Sequence, residues 1–341
     1  MTEIAIVILN WNTRPLLEQF LPLVLQHSQS VKSELWLADN ASTDGSSEYV
    51  KSNLPAIKVL QFDKNYGFTG GYNRALSLIE AKYYVLLNSD VEVTESWLEP
   101  LYNWMENHAE TAACTPKILS LKEKNKFEYA GAAGGFIDYL GYPFCQGRIF
   151  DKLEYDMGQY NVDRDIFWAT GACMMVRSSV YHELGGLDEL FFAHMEEIDL
   201  CWRMKRQGYS IHYCPQSIIF HLGGGTLPKQ NPKKTFLNFR NNLLLLYKNL
   251  TPGKAFLVFT IRLFLDGISG IRYFLRGDWA DGVAIIKAHF AFYKLVPHYR
   301  SYRNNQDWKK CPLKFAEIYP RSLVWQHFVR KLNRFSDLKW K

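Results

Sequence analysis

Short apolar runs that stop on a polar residue recur along the first ninety positions. Residues 4–9 end at Asn10, residues 35–38 end at Asp39-Asn40, and residues 83–87 end at Asn88-Ser89-Asp90. Each run is rich in β-branched or aromatic side chains and is flanked by stretches with helical spacing, such as residues 14–26. Unbroken apolar runs of this length predict strands buried on both faces of a parallel sheet. A further strand over 57–62 and helices over 42–52 and 70–80 complete a strand–helix alternation, with Ser42, Thr43 and Asp44 as N-cap candidates. Ligands of open α/β sheets bind beyond the carboxyl ends of the strands, so the three polar stops are expected to face one crevice.

Further along, residues 96–115 carry a helical pattern, and residues 120–165 are mixed, punctuated by Gly131, Gly134, Gly135 and Gly141. A strand is expected over 167–177, helices over 178–184 and 195–207, and two short strands over 211–214 and 218–220. Glycines 223–225 open a lysine-rich loop running to Lys234, after which the pattern is mostly helical. Residues 255–275 are the most membrane-like stretch, but Arg262, Asp266 and Arg272 interrupt it. A spanning helix needs roughly 20 apolar residues almost free of charge. An amphipathic helix lying in a membrane interface is therefore the expectation, with a hairpin buried against the first domain as the alternative.

Charge sharpens this division. Residues 1–225 hold 18 Lys/Arg and 28 Asp/Glu, whereas residues 226–341 hold 22 Lys/Arg and 6 Asp/Glu. An acidic first part is thus joined to a basic tail suited to anionic partners: lipid headgroups, diphosphate or nucleic acid. The six cysteines form no C-x-x-C pair, which weakens zinc-ribbon and thioredoxin-type readings. Scattered thiols, with no basic and then apolar leader at the start of the sequence, suit a reducing cytoplasm.

Several residues at these positions suit particular chemistry. Asp39, at a strand end, suits acceptance from ribose hydroxyls or a base N–H. The turn N-Y-G-F-T-G-G-Y-N over 65–73 enters a helix, where backbone N–H groups can meet a phosphate; it lacks the G-x-G-x-x-G spacing of dinucleotide folds. Asp90 suits a hard cation such as Mg²⁺, which is held by one or two carboxylates plus substrate phosphates. Glu196, Glu197 and Asp199 open a helix whose dipole accounts for one or two of the three acids. The apolar stretch before them, 190–195, would raise a carboxylate pKa and suit it to general-base work. His221 suits a metal or a phosphate oxygen. Lys229, Lys233, Lys234 and Arg240 either close over a diphosphate or form a solvated loop.

The order of the motifs adds a resemblance. V-I-L-N-W-N, A-D-N-A-S-T-D-G-S, N-Y-G-F-T-G-G-Y-N, L-L-N-S-D-V, G-A-C-M-M-V-R, G-G-L-D-E-L-F-F-A-H-M-E-E-I-D-L-C-W-R and H-L-G-G-G-T follow one another over residues 3–245. The set resembles the family 2 glycosyltransferases of GT-A fold, especially their bacterial rhamnosyltransferase-like branch. It implies a mixed, mainly parallel sheet flanked by helices, and inverting transfer from a nucleotide-diphosphate sugar. Asp39 matches the nucleotide-binding aspartate, with Asn10, Asn40, Asn65 and Asn73 at donor-site positions. Asp90 matches the last acid of a metal-binding D-x-D-type motif and His221 a histidine that helps hold metal or diphosphate, implying Mg²⁺ or Mn²⁺. Glu197 matches the acceptor-deprotonating base. Gly171 and Ala172 are expected along the sugar and acceptor pocket, and Lys234 on the diphosphate loop.

Two departures stand out: Asn88-Ser89-Asp90 keeps one acid of the D-x-D, and Glu197 stands where Asp is usual, which leaves Glu196 and Asp199 as alternative bases. The division expected is a catalytic domain over 1–245, with a nucleotide half 1–95 and an acceptor half 96–245, followed by a basic helical region over 246–341. The partners implied are a nucleotide-sugar donor, a glycan or polyprenyl-diphosphate-linked acceptor and the anionic inner face of a membrane, without nucleic acid. The rival classes are a sugar-phosphate nucleotidyltransferase, whose signature loop residues 10–14 match poorly, and a non-catalytic membrane-bound sugar-nucleotide-binding protein.

Overall fold

The computed structural model describes residues 2–223, 231–308 and 314–340; the expectations placed on Gly224, Gly225 and Lys229 lie outside them. The first half builds β1 (Thr2–Asn10), α1 (Arg14–His27), β2 (Ser33–Asp39), α2 (Ser46–Asn53), β3 (Lys58–Gln61), α3 (Gly67–Leu78), β4 (Ala81–Leu87), β5 (Val91–Val93) and α4 (Leu98–Asn107). Then come β6 (Thr111–Ser120), β7 (Gly135–Asp138), β8 (Pro143–Cys145), β9 (Arg148–Ile149), β10 (Lys152–Leu153), β11 (Arg164–Asp165), β12 (Cys173–Arg177), α5 (Ser178–Glu183), α6 (Glu196–Arg206) and β13 (Ser210–His221). The chain closes with α7 (Pro232–Asn249), α8 (Pro252–Leu275), α9 (Trp279–Leu295), α10 (Arg300–Asn304) and β14 (Ile318–Tyr319).

The main sheet runs β11-β13-β6-β12-β4-β1-β2-β3, with β5 also paired to β13. β1 pairs in parallel with β2 and β4, and β2 with β3, whereas β12 runs antiparallel between β4 and β6. The expected mixed, mainly parallel sheet flanked by helices is what the chain forms. The continuous apolar runs have the anticipated cause. Along β1, Ala5 and Val7 enter one core with α3 and α6, while Ile4, Ile6 and Ile8 enter a second core with α1 and α4. Both faces of the strand are covered, so no position alternates to polar.

Several boundaries differ from the pattern-based reading; the strand expected over 167–177, for one, forms only over Cys173–Arg177. Residues 111–115 belong to β6, a strand buried from Thr111 to Leu119 and not the end of a helix. Its Thr-Ala-Ala-Cys start lacks β-branched enrichment, so burial between β13 and β12 overrides propensity. The two short strands expected over 211–220 are one strand, β13, whose register shifts between Cys214 and Ile218, around Pro215. α2 starts at Ser46, after a left-handed Gly45, so Ser42 and Thr43 do not cap it. The boundary at 245 falls inside α7, whose Leu243 to Leu246 lie in the main core.

The C-terminal region also returns to the first domain. β14 pairs in parallel with β7, completing a second sheet of order β10-β9-β8-β7-β14. Phe335 packs on Phe136 and Phe144.

Candidate active site

The parallel register sets the end of the crevice at which the nucleotide is expected. Asn10 and Asp39 are paired residues at the ends of β1 and β2, both buried. Asn10 Nδ2 donates to Asp39 Oδ1 at 2.8 Å, and Ser42 donates to the same carboxylate through Oγ (2.5 Å) and its backbone N–H (3.1 Å). Thr13 Oγ1 donates to Asn10 Oδ1 at 2.5 Å and lies 3.2 Å from Ser89 Oγ, tying the end of β1 to the end of β4. The three polar stops therefore meet, as β4, β1 and β2 are neighbours. Exposed Trp11 stands beside them.

The four asparagines separate on their contacts. Asn40 Nδ2 donates to the Gly67 carbonyl and its Oδ1 accepts from the Tyr66 N–H, so this amide pins the start of α3. Asn65 Oδ1 accepts from the Gly67 N–H within the same turn. Asn73 faces away, toward the turn after α5. It donates to the Leu187 carbonyl and accepts from Tyr181 Oη and the Leu187 N–H. Asn40 and Asn73 are thus bracing residues whose amides are already engaged. The glycines of this turn answer to packing: a Cβ on Gly67, at φ +73°, would meet the Phe192 ring at 2.6 Å, and one on Gly71 would meet Leu9 at 2.6 Å.

Asp90 and His221 form the next corner. β5 pairs with the end of β13, bringing His221 opposite Val91. His221 Nε2 lies 3.0 Å from Asp90 Oδ1, and Nδ1 lies 3.0 Å from Glu128 Oε2, though without hydrogen-bond alignment. Burial favours a neutral imidazole, but the two carboxylates outweigh it and push His221 up to about 10. Glu128 is held below the ordinary glutamate range against its own burial, chiefly by His221. Among the described residues no group of three His, Cys, Asp or Glu side chains is arranged to cage a metal. The donor set still suits a hard divalent cation: one carboxylate and one imidazole, with phosphate oxygens and water left to complete the shell. The imidazole would release its proton to become a ligand.

The third corner is a strained loop leading into α6. Phe192, His194 and Met195 all have positive φ, at 66°, 71° and 73°. Such conformations cost of order 1–3 kcal/mol each and persist only when the surroundings enforce them. Here α7 does so. Buried Asn241 donates through Nδ2 to the carbonyls of Phe191 (2.9 Å), Ala193 (2.8 Å) and His194 (2.8 Å). Arg240 donates to the carbonyls of Leu190 and Phe191. The loop delivers Glu196 and Glu197 to the first turn of α6.

Three acids in that turn have three different environments. Glu196 is buried, and burial, followed by the charge of Glu197, pushes its pKa well above the glutamate range. Glu197 is part-buried, its Oε2 is out of water and unpartnered, and burial raises it to about 7 despite backbone N–H groups that favour the charged form. A carboxyl poised near neutrality is what proton abstraction requires. Asp199 is excluded as the alternative base. Its Oδ2 accepts from Arg203 Nε and Lys248 Nζ, each at 2.8 Å, and its Oδ1 from Asn249 Nδ2. These cations outweigh burial and hold it down at about 2, so it ties α6 to α7 and has little basicity.

The remaining expected residues flank these corners. Gly171 is part-exposed and lies under the Phe68 ring, but Ala172 is core: its carbonyl accepts from the Asn88 N–H and its methyl is buried. Lys234 sits in the first turn of α7, 5.9 Å from the Tyr129 ring, and its charge adds to burial in lowering His194 to about 4. The buried thiol of Cys145 feels the charges of both Glu128 and Glu197, so the metal-type corner and the acid pair border one region. The sequence reading did not reach Glu128 or Asn241, and Arg240, expected over a diphosphate or in a solvated loop, instead braces the loop before α6; these parts depend on contacts across 47 to 93 residues of chain.

A mixed sheet with a nucleotide-type carboxylate, a carboxylate–imidazole corner and a raised glutamate at one edge defines a glycosyltransferase of GT-A fold. Residues 5–185 match the model of Glycosyl transferase family 2, and the chain belongs to that family. It is similar to an N-acetylglucosaminyl-diphospho-decaprenol L-rhamnosyltransferase of Mycobacterium tuberculosis, at 25% identity over 240 residues, 65% of this chain and 76% of the relative. It is also similar to the rhamnosyltransferase WbbL of Escherichia coli K12, at 26% identity over 46% of this chain and 61% of the relative. These relatives place it in the rhamnosyltransferase-like branch. In fold it matches the mannosyltransferase PcManGT of Pyrobaculum calidifontis, solved with GDP-Man and Mn²⁺: TM-score 0.53, 12% identity, covering 85% of this chain and 86% of that one.

Proposed function

We propose that the protein transfers a sugar, rhamnose from dTDP-rhamnose first and a UDP-hexose next, to a hydroxyl of a lipid-linked glycan, with inversion at the anomeric carbon. The observation that carries the reading is the separation of roles among buried acids. Asp39 is held by three donors at the β2 end, Asp90 lies on His221, and Glu197, whose Oε2 is unpartnered like that of its neighbour Glu196, is raised to about 7. The nucleotide lies over the Asn10–Asp39 pair. Asp90 and His221 would hold a divalent cation, Mg²⁺ or Mn²⁺, which when bound would supply positive charge against the leaving diphosphate. Glu197 accepts the acceptor hydroxyl proton as that oxygen forms its bond to the anomeric carbon and the bond to the diphosphate breaks. Lys234 and the end of β13 border the diphosphate, and Gly171 the sugar. The polyprenyl-diphosphate acceptor and the rhamnosyl donor are suggested by the name of the mycobacterial relative.

A donor-hydrolysis panel of dTDP-, UDP- and GDP-sugars, each with Mg²⁺, Mn²⁺ or chelator, tests the reading. Turnover of one nucleotide class with a divalent ion, lost in Glu197→Gln when acceptor is present, is the expected result. Binding of a nucleotide sugar with no turnover under any condition would instead make the chain a sugar-nucleotide-binding protein.

A further inference from the structure

The charges that interrupt the apolar stretch of α8 point inward. Arg262 and Asp266 are buried and paired at 3.2 Å, His289 Nε2 lies 3.2 Å from Asp266, and Arg262 also donates to the Leu140 carbonyl and to Asn242. This polar network fastens α8 and α9 to the catalytic domain. The two helices run antiparallel, with Phe259 stacked on Phe292 near one end and Phe274 against Trp279 near the other. Their outward face is what water-facing helices lack. Phe256 (78% exposed), Phe264 (71%), Ile271 (60%) and Leu275 (84%) line α8, and Phe290 (66%) continues the surface on α9. Arg272, over the Phe328 ring at 5.0 Å, joins this face to exposed Trp325 and Val329. A helix face whose exposed side chains are large and apolar over several turns marks an interaction site.

We infer that this hairpin docks flat on an anionic lipid bilayer, its apolar face in the acyl boundary and its basic rim on the headgroups. The rim consists of exposed Lys254, Arg272, Arg276, Lys287 and Lys294, against which the hairpin sets outward only Asp278 and part-exposed Asp281. That imbalance selects the occupant. A second copy on the same face would set two basic rims against each other, since isologous contacts pair like surfaces. Crossing the bilayer is not available, as no described helix is long and apolar enough. α9 packs on α7, the helix whose Arg240 and Asn241 hold the loop before Glu197, so the docked hairpin is one helix away from the loop that carries the proposed base. Docking does not depend on the sugar-transfer reading; only the delivery of a lipid-borne acceptor does.

The test is flotation of the full chain with phosphatidylcholine vesicles, with and without phosphatidylglycerol, at low and high salt. The wild type is expected to float with phosphatidylglycerol vesicles and to bind less at high salt or without the anionic lipid. Phe264→Gln/Ile271→Gln is expected to lower the partition coefficient by about a hundredfold, roughly tenfold per side chain withdrawn from the boundary. Lys287→Glu/Lys294→Glu is expected to lose the preference for anionic vesicles. All four positions face outward, so unchanged melting temperatures and donor hydrolysis confirm intact folding. A wild type that stays at the bottom, or variants that float like it, overturns the inference. So does a lipid-free dimer, seen by light scattering, that Phe264→Gln/Ile271→Gln converts to monomer, which assigns the face to a second copy.

Discussion

Replacing Asn241 with alanine tests whether α7 sets the position of the proposed base, Glu197. The side chain is fully buried and its Nδ2 reaches three loop carbonyls; Phe191 keeps Arg240 as a second donor, while those of Ala193 and His194 lose theirs. Two lost hydrogen bonds to part-buried carbonyls cost about 1–3 kcal/mol. The three positive-φ residues store about 3 kcal/mol or more, by the usual cost per residue. The clamp and the strain are thus of similar size, so the loop relaxes locally and the strain is released with it. A base displaced by about 1 Å lowers turnover on the order of a hundredfold. The assay is steady-state transfer with the donor identified by the hydrolysis panel, alongside calorimetric donor binding. The expected outcome is a large fall in kcat with donor affinity retained, because Asp39 and Asp90 lie on other elements. An unchanged kcat in a stably folded Asn241→Ala protein would mean that the loop holds its shape without the clamp and that α7 does not position Glu197.

Other consequences are equally direct. Glu197→Gln should reduce transfer by about 10²–10⁴-fold with nucleotide binding intact, as measured by kinetics and calorimetry. In the wild type, kcat/KM should rise with pH through about 7 as Glu197 loses its proton, and a profile flat across that range would contradict its role as base. The same raised pKa costs stability as pH rises from the unfolded glutamate value toward 7, so Glu197→Gln should be about 1–3 kcal/mol more stable than wild type at pH 8, read by chemical denaturation. Asp199→Asn leaves Arg203 and Lys248 buried with less compensation and should lose about 3–5 kcal/mol by the same method. The depressed pKa of Asp199 means that its contribution is present above the ordinary aspartate range and is lost only as pH falls through about 2. Asp90→Asn should raise the divalent-ion concentration giving half-maximal activity by about tenfold or more, and equal metal dependence in both proteins would remove Asp90 from the cation site.

The local pattern was enough to place β1, β2 and β4, because a strand covered on both faces must be apolar throughout and must end where it meets solvent. It also placed Asn10, Asp39 and Asp90 at those ends, and Glu197 at a helix start behind an apolar stretch. Pattern alone could not distinguish the three acids of α6. Asp199 differs from Glu197 only through Arg203, Lys248 and Asn249, and two of those come from a helix some fifty residues away. It could not find Glu128, which gains its part from β13 delivering His221, nor Asn241, which acts on carbonyls of a remote loop. In α8 the charges looked like interruptions of an apolar face, and only packing revealed that Arg262 and Asp266 turn toward the protein while the phenylalanines turn out. Burial and backbone hydrogen bonding act locally, so the order of residues alone specifies which segments are buried strands and where their polar ends fall. Charge, desolvation and exposure depend on neighbours far away in the chain, so which acids are ionised, which asparagines brace the fold and which helix face is bare emerge only from packing.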